Sequence, residues 1–307
     1  MLKSLQKAFK VKEVRDRLLY TFMMLVVIRI GCCLPIPGVD PSYLHDFFSN
    51  LQSSGMGFFN AITGGSFSSM SIFALSITPY ITSSIIMQLL TIAIPKLEEM
   101  QKDGEDGRKK IAEYTRYLTV GLALFESCAM AVGLGGKGLL LEDHRNVWGY
   151  LTVVAAMTAG SALLMWIGER ITDNGVGNGI SIILLCNIVS RMPSDLYNLY
   201  QKFMEGKQIS NVIIAGVIIF IVIIGTIILT IILNDAERRI PVQYSRKIQG
   251  GSQLGGLGST LPVKVNTANV MPIIFSSSLL QFPLVIKQLI GADPKGAAGF
   301  IFNALNQ

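Results

Sequence analysis

The sequence has little of what enzymes and metal sites are built from. Only 15% of its 307 residues are charged, 8% are aromatic, and two are histidine. Both histidines, His45 and His144, lie in polar stretches between apolar segments, and no apolar segment carries a pair of acidic residues near its middle. A hydrolase needs a nucleophile beside a base, or paired acids. We therefore expect no enzyme, no catalytic residue, no metal and no cofactor.

Cysteine is equally scarce. The four cysteines show no CxxC spacing, and each falls inside an apolar segment: Cys32, Cys33, Cys128 and Cys186. A disulfide framework or a structural zinc site is therefore not expected. These side chains should pack as small apolar groups.

Apolar residues are what the sequence has in excess. Half of the residues are hydrophobic and the mean hydropathy is +0.50, which is typical of an all-α, polytopic membrane protein. Residues 1–17 predict an amphipathic helix at the membrane surface. Seven segments then predict membrane spans, the fifth of them short: 18–34, 71–94, 117–134, 148–167, 179–192, 212–233 and 270–290. Pro35, Pro37 and Gly38 follow the first span, which argues against a removable signal peptide.

The second span is too polar for a helix that faces lipid. It carries Pro79, Gln88 and several Ser and Thr among its Ile and Leu. Polar groups stranded in hydrocarbon are costly, so this span should line a cavity or pack on polar neighbours. A short apolar piece and a Gly64-Gly65 hinge precede it, which is the pattern of a plug over a pore. The seventh span is similar, with Pro272, Pro283, Ser276, Ser277, Ser278, Gln281 and Gln288.

Two isolated charges and one glycine-rich stretch need an interpretation. Arg29 either snorkels or packs within the helix bundle, or it serves transport. Glu126, near the middle of the third span, is either functional or hydrogen-bonded to the second span. The glycines at 175, 177 and 179 have no preceding strand and no GK[ST], so they predict a tight turn into the fifth span and not a phosphate-binding loop.

The positive residues set an orientation. With seven spans, the loops on one side hold 18 Lys and Arg, and those on the other side hold 7 when Arg191 and Lys287 at the adjoining span ends are counted with them. Cytoplasmic loops carry the excess of positive charge, so the amino terminus is expected in the cytoplasm. Lys109 and Arg246 then lie inside, whereas His45 and Lys207 lie outside.

Five stretches of the sequence resemble the SecY family, the channel subunits of the Sec protein translocon. They occur in the family's order and span nearly the whole chain: 29–40, 58–90, 95–117, 168–184 and 261–283. The most distinctive motifs are GERITDNGVGNGISIIL in the fourth stretch and LPVKVNTANVMPIIFSSSLLQFP in the fifth.

The resemblance implies a channel of ten helices built from two inverted five-helix halves. On that basis residues 1–17 form a cytoplasmic amphipathic segment and residues 18–192 form the first half, spans one to five. Residues 193–307 begin the second half, with spans six and seven and a basic cytoplasmic loop at 234–269.

The function implied is a pore for unfolded secretory proteins, with a side opening that releases membrane segments into lipid. A ring of aliphatic side chains would close the waist around the moving chain and resist ions, and it maps to Ile77, Ile81, Leu184 and Ile274. The plug segment, residues 56–65, would rest under that ring through apolar contact; its residues include Phe58, Phe59, Ile62, Gly64 and Gly65. The lateral gate maps to Thr82, Ser83, Gln88, Ser278, Gln281 and Phe282. The residues alone leave two alternatives open: the aliphatic side chains could simply face lipid or core, and the gate hydroxyls could simply bond between helices.

The resemblance also implies partners and a location. The expected partners are SecE and SecG-type small subunits, the SecA motor, the ribosome, signal sequences, nascent polypeptides and membrane lipid, and the expected location is the plasma membrane. Cytosolic partners would dock on Arg108, Lys109, Lys110, Arg238, Arg239, Arg246 and Lys247, although these charges could instead only set topology. The alternative function is a multi-pass secondary transporter of a small solute, which would need coupling groups at mid-membrane.

Overall fold

A computed structural model describes residues 11–40, 60, 62–134, 140–141, 146–203, 209–242, 259–267 and 276. Within these residues the chain forms α1 (Lys12–Cys33), α2 (Thr78–Ala93), α3 (Pro95–Lys102), α4 (Glu105–Leu134), α5 (Val147–Asn174), α6 (Gly179–Phe203), α7 (Ile209–Asp235), β1 (Glu237–Val242) and β2 (Ser259–Lys264). The chain divides into two compact units, Met1–Pro193 with Phe275–Gln307, and Ser194–Ile274. The predicted amphipathic segment before residue 11 and the seventh span, apart from Ser276, lie outside the described residues.

Helices account for the first six predicted spans. In the described part of the chain, α5, α6 and the 216–235 part of α7 are long and apolar enough to cross a bilayer, and the α2–α3 pair adds a fourth if it counts as one span. Helices α1 and α4 contain the predicted first and third spans. The multi-pass helical fold is thereby confirmed, with the β1–β2 pair as an exception to its all-α character.

The second span differs from its prediction in where the helix begins. Residues 63–77 form consecutive turns, and α2 starts only at Thr78, with Pro79 in its first turn. Proline suits that position because the amide it lacks would have no helical partner there. Residues 63–77 are hereafter the turn segment. The apolar run 71–94, which predicted one helix, therefore consists of turns up to Ile77 followed by α2. At its other end α2 meets α3 at Pro95 with a bend of 102°.

The turn segment is the centre of the first unit. Met70 and Leu75 are almost fully buried and pack in one cluster with Val153 and Met157 of α5. Backbone bonds tie the segment to the chain after α1, because the Ile36 amide donates to the Met70 carbonyl and the Ile72 amide to the Leu34 carbonyl. Because its local turns do not form a continuous helical ladder, the segment can lie in an apolar setting only if contacts of this kind satisfy the rest of its polar backbone.

The glycine-rich stretch is a turn between α5 and α6, as predicted. Asn178 caps α6 by accepting a hydrogen bond from the Ile180 amide through Oδ1 (3.0 Å). Thr172 Oγ1 accepts from the Gly179 amide (2.9 Å), and Thr21 Oγ1 of α1 accepts from the Val176 amide (3.2 Å). The turn therefore joins three helices. Helix α6 then runs through Pro193 to Phe203, well beyond the predicted end at residue 192.

Two predicted loops contain regular structure. Residues 95–116 form α3 and the first turns of α4, not an irregular loop. In the second unit, the predicted loop 234–269 holds an antiparallel hairpin in which Glu237 pairs with Lys264 and Val242 with Ser259. Helix α7 precedes the hairpin, and most of its described apolar side chains, such as Phe220 and Leu229, are exposed, as expected of a helix that faces lipid.

Candidate functional site

The predicted ring residues begin at the N-terminus of α2. Ile77 is buried at the cap position and Ile81, one turn later, is half-buried. Both belong to an apolar cluster with Ile28 of α1 and Ile183 of α6. Leu184 of α6 is half-buried and is not a member of that cluster, so the structure brings Ile183, its neighbour, to Ile77 and Ile81. Ile274 lies outside the described residues.

The plug segment is described at Asn60 and from Ile62 onward, whereas Phe58 and Phe59 lie outside the described residues. Asn60 organises the turn that follows it. Its carbonyl accepts hydrogen bonds from the Gly65 amide (3.1 Å) and Thr63 Oγ1 (3.2 Å), and its Oδ1 accepts from the Ser68 amide (3.3 Å). Ile62 is half-buried. The described plug residues thus carry their own hydrogen-bond network.

Helix α6 contacts the plug segment through polar groups. Arg191 Nη1 donates to the Asn60 carbonyl (3.3 Å). Gly64 lies against the backbone of Asn187, since a Cβ built on Gly64 would stand 2.8 Å from the Asn187 carbonyl oxygen. Asn187 Nδ2 donates to Ser76 Oγ at the start of α2 (3.1 Å). Polar contacts thus attach the described part of the plug segment to α6, while the apolar contacts expected of Phe58 and Phe59 lie outside the described residues and stay a prediction.

The described gate residues differ in exposure. Ser83 is fully buried, and its hydroxyl donates to the Pro79 carbonyl one turn earlier (2.7 Å). Thr82 is half-buried, and Gln88 is exposed and donates to Ser84 Oγ (3.4 Å). Ser83 satisfies itself within α2, whereas Thr82 and Gln88 keep polar groups at the helix surface. Ser278, Gln281 and Phe282 lie outside the described residues.

The docking residues form two exposed sets. Arg108, Lys109 and Lys110 lie in the first turns of α4, where Lys109 pairs with Glu105 (3.4 Å). In the second unit, Arg238 and Arg239 are exposed on β1, opposite Val263 and Pro262. Arg246 and Lys247 lie outside the described residues. Both described sets carry charge that a polyanion could reach.

The two isolated charges of the spans are poorly satisfied in the described part of the chain. Glu126 Oε2 is buried and finds no hydrogen-bond partner there, so this oxygen does not make the predicted bond to the second span. Arg29 Nη1 is also buried without a partner among the described residues. The half-buried Arg29 packs within the helices, in line with the bundle interpretation.

Comparison with known proteins identifies the family. The SecY family model matches residues 71–306. The chain belongs to the SecY family. It is 41% identical to the protein translocase subunit SecY of Corynebacterium glutamicum over 93% of this chain and 65% of that protein. It is 40% identical to the SecY of Halalkalibacterium halodurans over 98% of this chain and 70% of that protein, and 38% identical to that of Thermotoga maritima over 98% and 71%. The chain thus spans about two thirds of the length of these relatives.

Solved structures agree on the fold. A SecY structure described for its plug domain matches with a TM-score of 0.58 and 20% identity, over 93% of this chain and 61% of that chain. A structure titled as a protein-conducting channel matches with a TM-score of 0.54 and 21% identity, over 90% and 59%. At this identity the likeness establishes the SecY-type helical channel fold of this chain and nothing about its residues' roles.

Three residues of the site were missed by the motif comparison that indicated the SecY family. Asn60 and Asn187 lie among apolar residues, and the topology prediction counts Arg191, at the end of the fifth span, with the charges of the outside loop. A signal existed, because Asn187 and Arg191 are four residues apart and so share one face of a helix. It was hidden because the predicted fifth span was placed too short to make Arg191 an interior residue of α6.

Proposed function

We propose that this chain builds the pore of a Sec-type channel, which passes unfolded secretory proteins across the plasma membrane and releases apolar segments sideways into lipid. The observation that carries the proposal is the turn segment. It replaces part of a membrane-spanning helix, rests against α5, and joins the plug segment to the aliphatic cluster of Ile77 and Ile81. Relatives at about 40% identity are named protein translocase subunits, which does not favour the solute-transporter alternative.

The ring acts through its lack of polar groups. Aliphatic side chains such as Ile77, Ile81, Leu184 and Ile274 bind no particular peptide sequence, and a dry constriction resists ions and water. The burial of Ile77 and its packing on α6 support a closed waist in which α2 and α6 meet. Glycine at 64 and 65 lets the plug segment, Phe58, Phe59 and Ile62 included, swing away as a chain enters.

The remaining assignments follow from the same proposal. Residues 18–192 form the first inverted half of the channel and residues 193–307 begin the second, after a cytoplasmic segment at 1–17. The lateral gate uses Thr82, Ser83 and Gln88 on α2 with Ser278, Gln281 and Phe282. SecE and SecG-type small subunits are proposed as membrane partners, with signal sequences and nascent polypeptides as the cargo.

Cytosolic partners dock on the basic residues of α4 and of the 234–269 region. A solved relative, canine Sec61, is described in a ribosome-channel complex, which supports the ribosome as a partner beside the SecA motor. Replacing Arg238 and Arg239 with Glu should weaken ribosome and SecA binding, and salt should reduce what remains. Replacing Lys264 on β2 with Glu is a matched control for charge on the hairpin. If neither partner's affinity changes in the Arg variants, these charges only set topology.

The pore assignment is tested by polar substitution at the plug and the ring. In the channel expressed from its own gene, Ile62→Asn and Ile274→Asn should raise resting ion conductance and admit substrates with defective signal sequences. Each replaces an apolar side chain of the proposed closed state, whose full burial would be worth about 1.5–3 kcal/mol. Ile92→Asn makes the same change at a position that is 81% exposed on α2, and it should alter neither property. Unchanged conductance and unchanged stringency in both plug and ring variants would refute the assignment.

The orientation is tested by labelling from outside intact cells. Cysteines placed at His45 and Lys207 should react with an impermeant maleimide, whereas cysteines at Lys109 and Arg246 should react only after lysis. Reaction at position 109 in intact cells would reverse the proposed topology.

A further inference from the structure

The plug segment is attached to α6 at a single face of that helix. Asn187 and Arg191 are one helical turn apart, and both reach the chain that leads from the plug segment to α2. Asn187 is 1% exposed, and burying its amide is costly unless the amide is hydrogen-bonded. The pair connects α6 to two points, the Asn60 carbonyl and the Ser76 hydroxyl.

The bond from Arg191 is separable from the plug's own structure. The Asn60 carbonyl keeps its bonds from Gly65 and Thr63 if the guanidinium leaves. The Asn60 carbonyl can therefore part from α6 without being left unsatisfied.

The Asn187 contact restrains the other end of the turn segment. Ser76 has a φ of 52°, in the left-handed region that residues other than glycine rarely adopt. Asn187 Nδ2 donates to its hydroxyl and so supports that conformation. Asn187 Oδ1, by contrast, is buried with no partner among the described residues. An unsatisfied acceptor costs stability, so this interface is weaker than one in which both atoms of the amide are bonded.

Gly64 brings the two surfaces into direct contact. Its φ is +68°, and a Cβ there would meet the Asn187 carbonyl oxygen and Cα at 2.8 and 3.0 Å. Gly65 has a similar φ of +85°, yet a Cβ there would meet nothing within 4 Å. The two glycines carry the same backbone requirement, but only Gly64 also carries the contact with α6.

We propose that Asn187 and Arg191 form a polar latch that holds the plug segment closed against α6, with Arg191 as the positioning residue. The proposal rests on the proposed function of residues 56–65 as a plug. An incoming signal sequence must then supply enough binding free energy to break a charged hydrogen bond as well as apolar contacts. The latch thereby sets how strictly the channel selects its substrates.

The latch is tested by the accessibility of the plug, measured independently of transport. A cysteine at Ile62 is labelled with a water-soluble maleimide in membranes, and peptide mass spectrometry separates this site from the native cysteines. Arg191→Met should speed labelling at position 62 by about tenfold or more, as loss of a hydrogen bond to a charged group implies. Arg191→Lys keeps a charged donor and should stay close to the unsubstituted rate.

A second pair of variants tests the contact of Gly64 with α6. Gly64→Ala should accelerate labelling and Gly65→Ala should not, although both add the same methyl group at a positive φ.

The same variants distinguish a failed latch from a failed plug. If Arg191→Met and Gly64→Ala label no faster than Arg191→Lys and Gly65→Ala, the latch is refuted, whatever Ile62→Asn does to conductance. If they label faster and also leak ions or pass defective signal sequences, the latch and the plug both stand. Faster labelling without any change in conductance or stringency keeps the latch and refutes the plug function on which its role depends.

Discussion

Helices α6 and α7 are both long and apolar enough to cross a bilayer, yet they are used differently. Helix α7 is far more apolar, and within the part of the chain that the structure describes its threonines, Thr226 and Thr230, donate to carbonyls of their own helix. Helix α6 is less apolar, and two of its polar residues, Asn187 and Arg191, bond to residues 76 and 60. Hydropathy thus locates both spans, but the departures from hydropathy in α6 locate the site.

The largest effect is expected from an arginine placed in α7, which tests whether this helix, unlike α6, excludes a charged side chain. Val222, near the middle of the helix, is 59% exposed. Val222→Arg should disfavour insertion of that span by about 2.5–3.5 kcal/mol, the cost of an unpaired arginine at the centre of a membrane helix. Glycosylation mapping of the flanking loops measures the inserted fraction, with Val222→Leu as the control. Normal insertion of the arginine variant would mean that α7 does not face lipid.

Replacing a glycine by alanine in each unit shows how closely the chain packs around it. Gly160 of α5 lies against the Ile72 carbonyl of the turn segment, where a Cβ would collide, whereas a Cβ on Gly225 of α7 would meet nothing within 4 Å. Gly160→Ala should lower stability by about 1–3 kcal/mol through overpacking. Gly225→Ala should raise helix stability by up to about 1 kcal/mol, since alanine is the better helix former. Melting of the purified protein, followed by the fluorescence of Trp148 and Trp166, measures both; equal effects would refute the close packing of the turn segment.

Much of this fold follows from the periodic and compositional signals of the sequence. Six of the predicted spans contain helices because an apolar run of about 20 residues has few other ways to satisfy its backbone in lipid. The turn before α6 was predictable since Asn178 and the glycines around it favour a cap and a tight turn. These are local signals that a single stretch carries alone.

The errors occur where distant contacts override local preference. The apolar residues 71–77 read as helix, but α5 and the chain after α1 hold them as turns. Pro193 read as the end of a span, yet α6 continues through it. In the site, Ile77 and Ile81 could be placed by resemblance, whereas Arg191 required knowing that residue 60 lies 131 positions away in sequence and within hydrogen-bond reach.

A half-exposed ion pair offers a contrast to the buried polar contact that Asn187 makes in α6. Arg116 of α4 donates through Nε to Glu169 Oε1 of α5 (2.7 Å), with side-chain exposures of 48% and 25%. Because water screens part of the attraction, Arg116→Met should cost about 0.2–1 kcal/mol, less than an overpacked core. A double-mutant cycle with Glu169→Gln isolates the pair. Coupling that did not weaken in high salt would show that the pair is more shielded than its exposure suggests.

The smallest effect is expected for an exposed ion pair within α3, Lys102 with Glu98. Lys102 donates to Glu98 Oε1 (2.7 Å), and this hydrogen bond and the nearby positive charge lower the pKa of Glu98 below its ordinary value of 4.5. A carboxyl with a lowered folded-state pKa stabilises the fold fully above its ordinary pKa, and loses that contribution as the pH falls through the folded value. The difference in melting temperature between the unsubstituted protein and Glu98→Gln should therefore be small at neutral pH and vanish in strong acid, and salt should shrink it. A difference that grew on acidification would reverse the sign of the linkage and show that Glu98 prefers its protonated form in the folded protein.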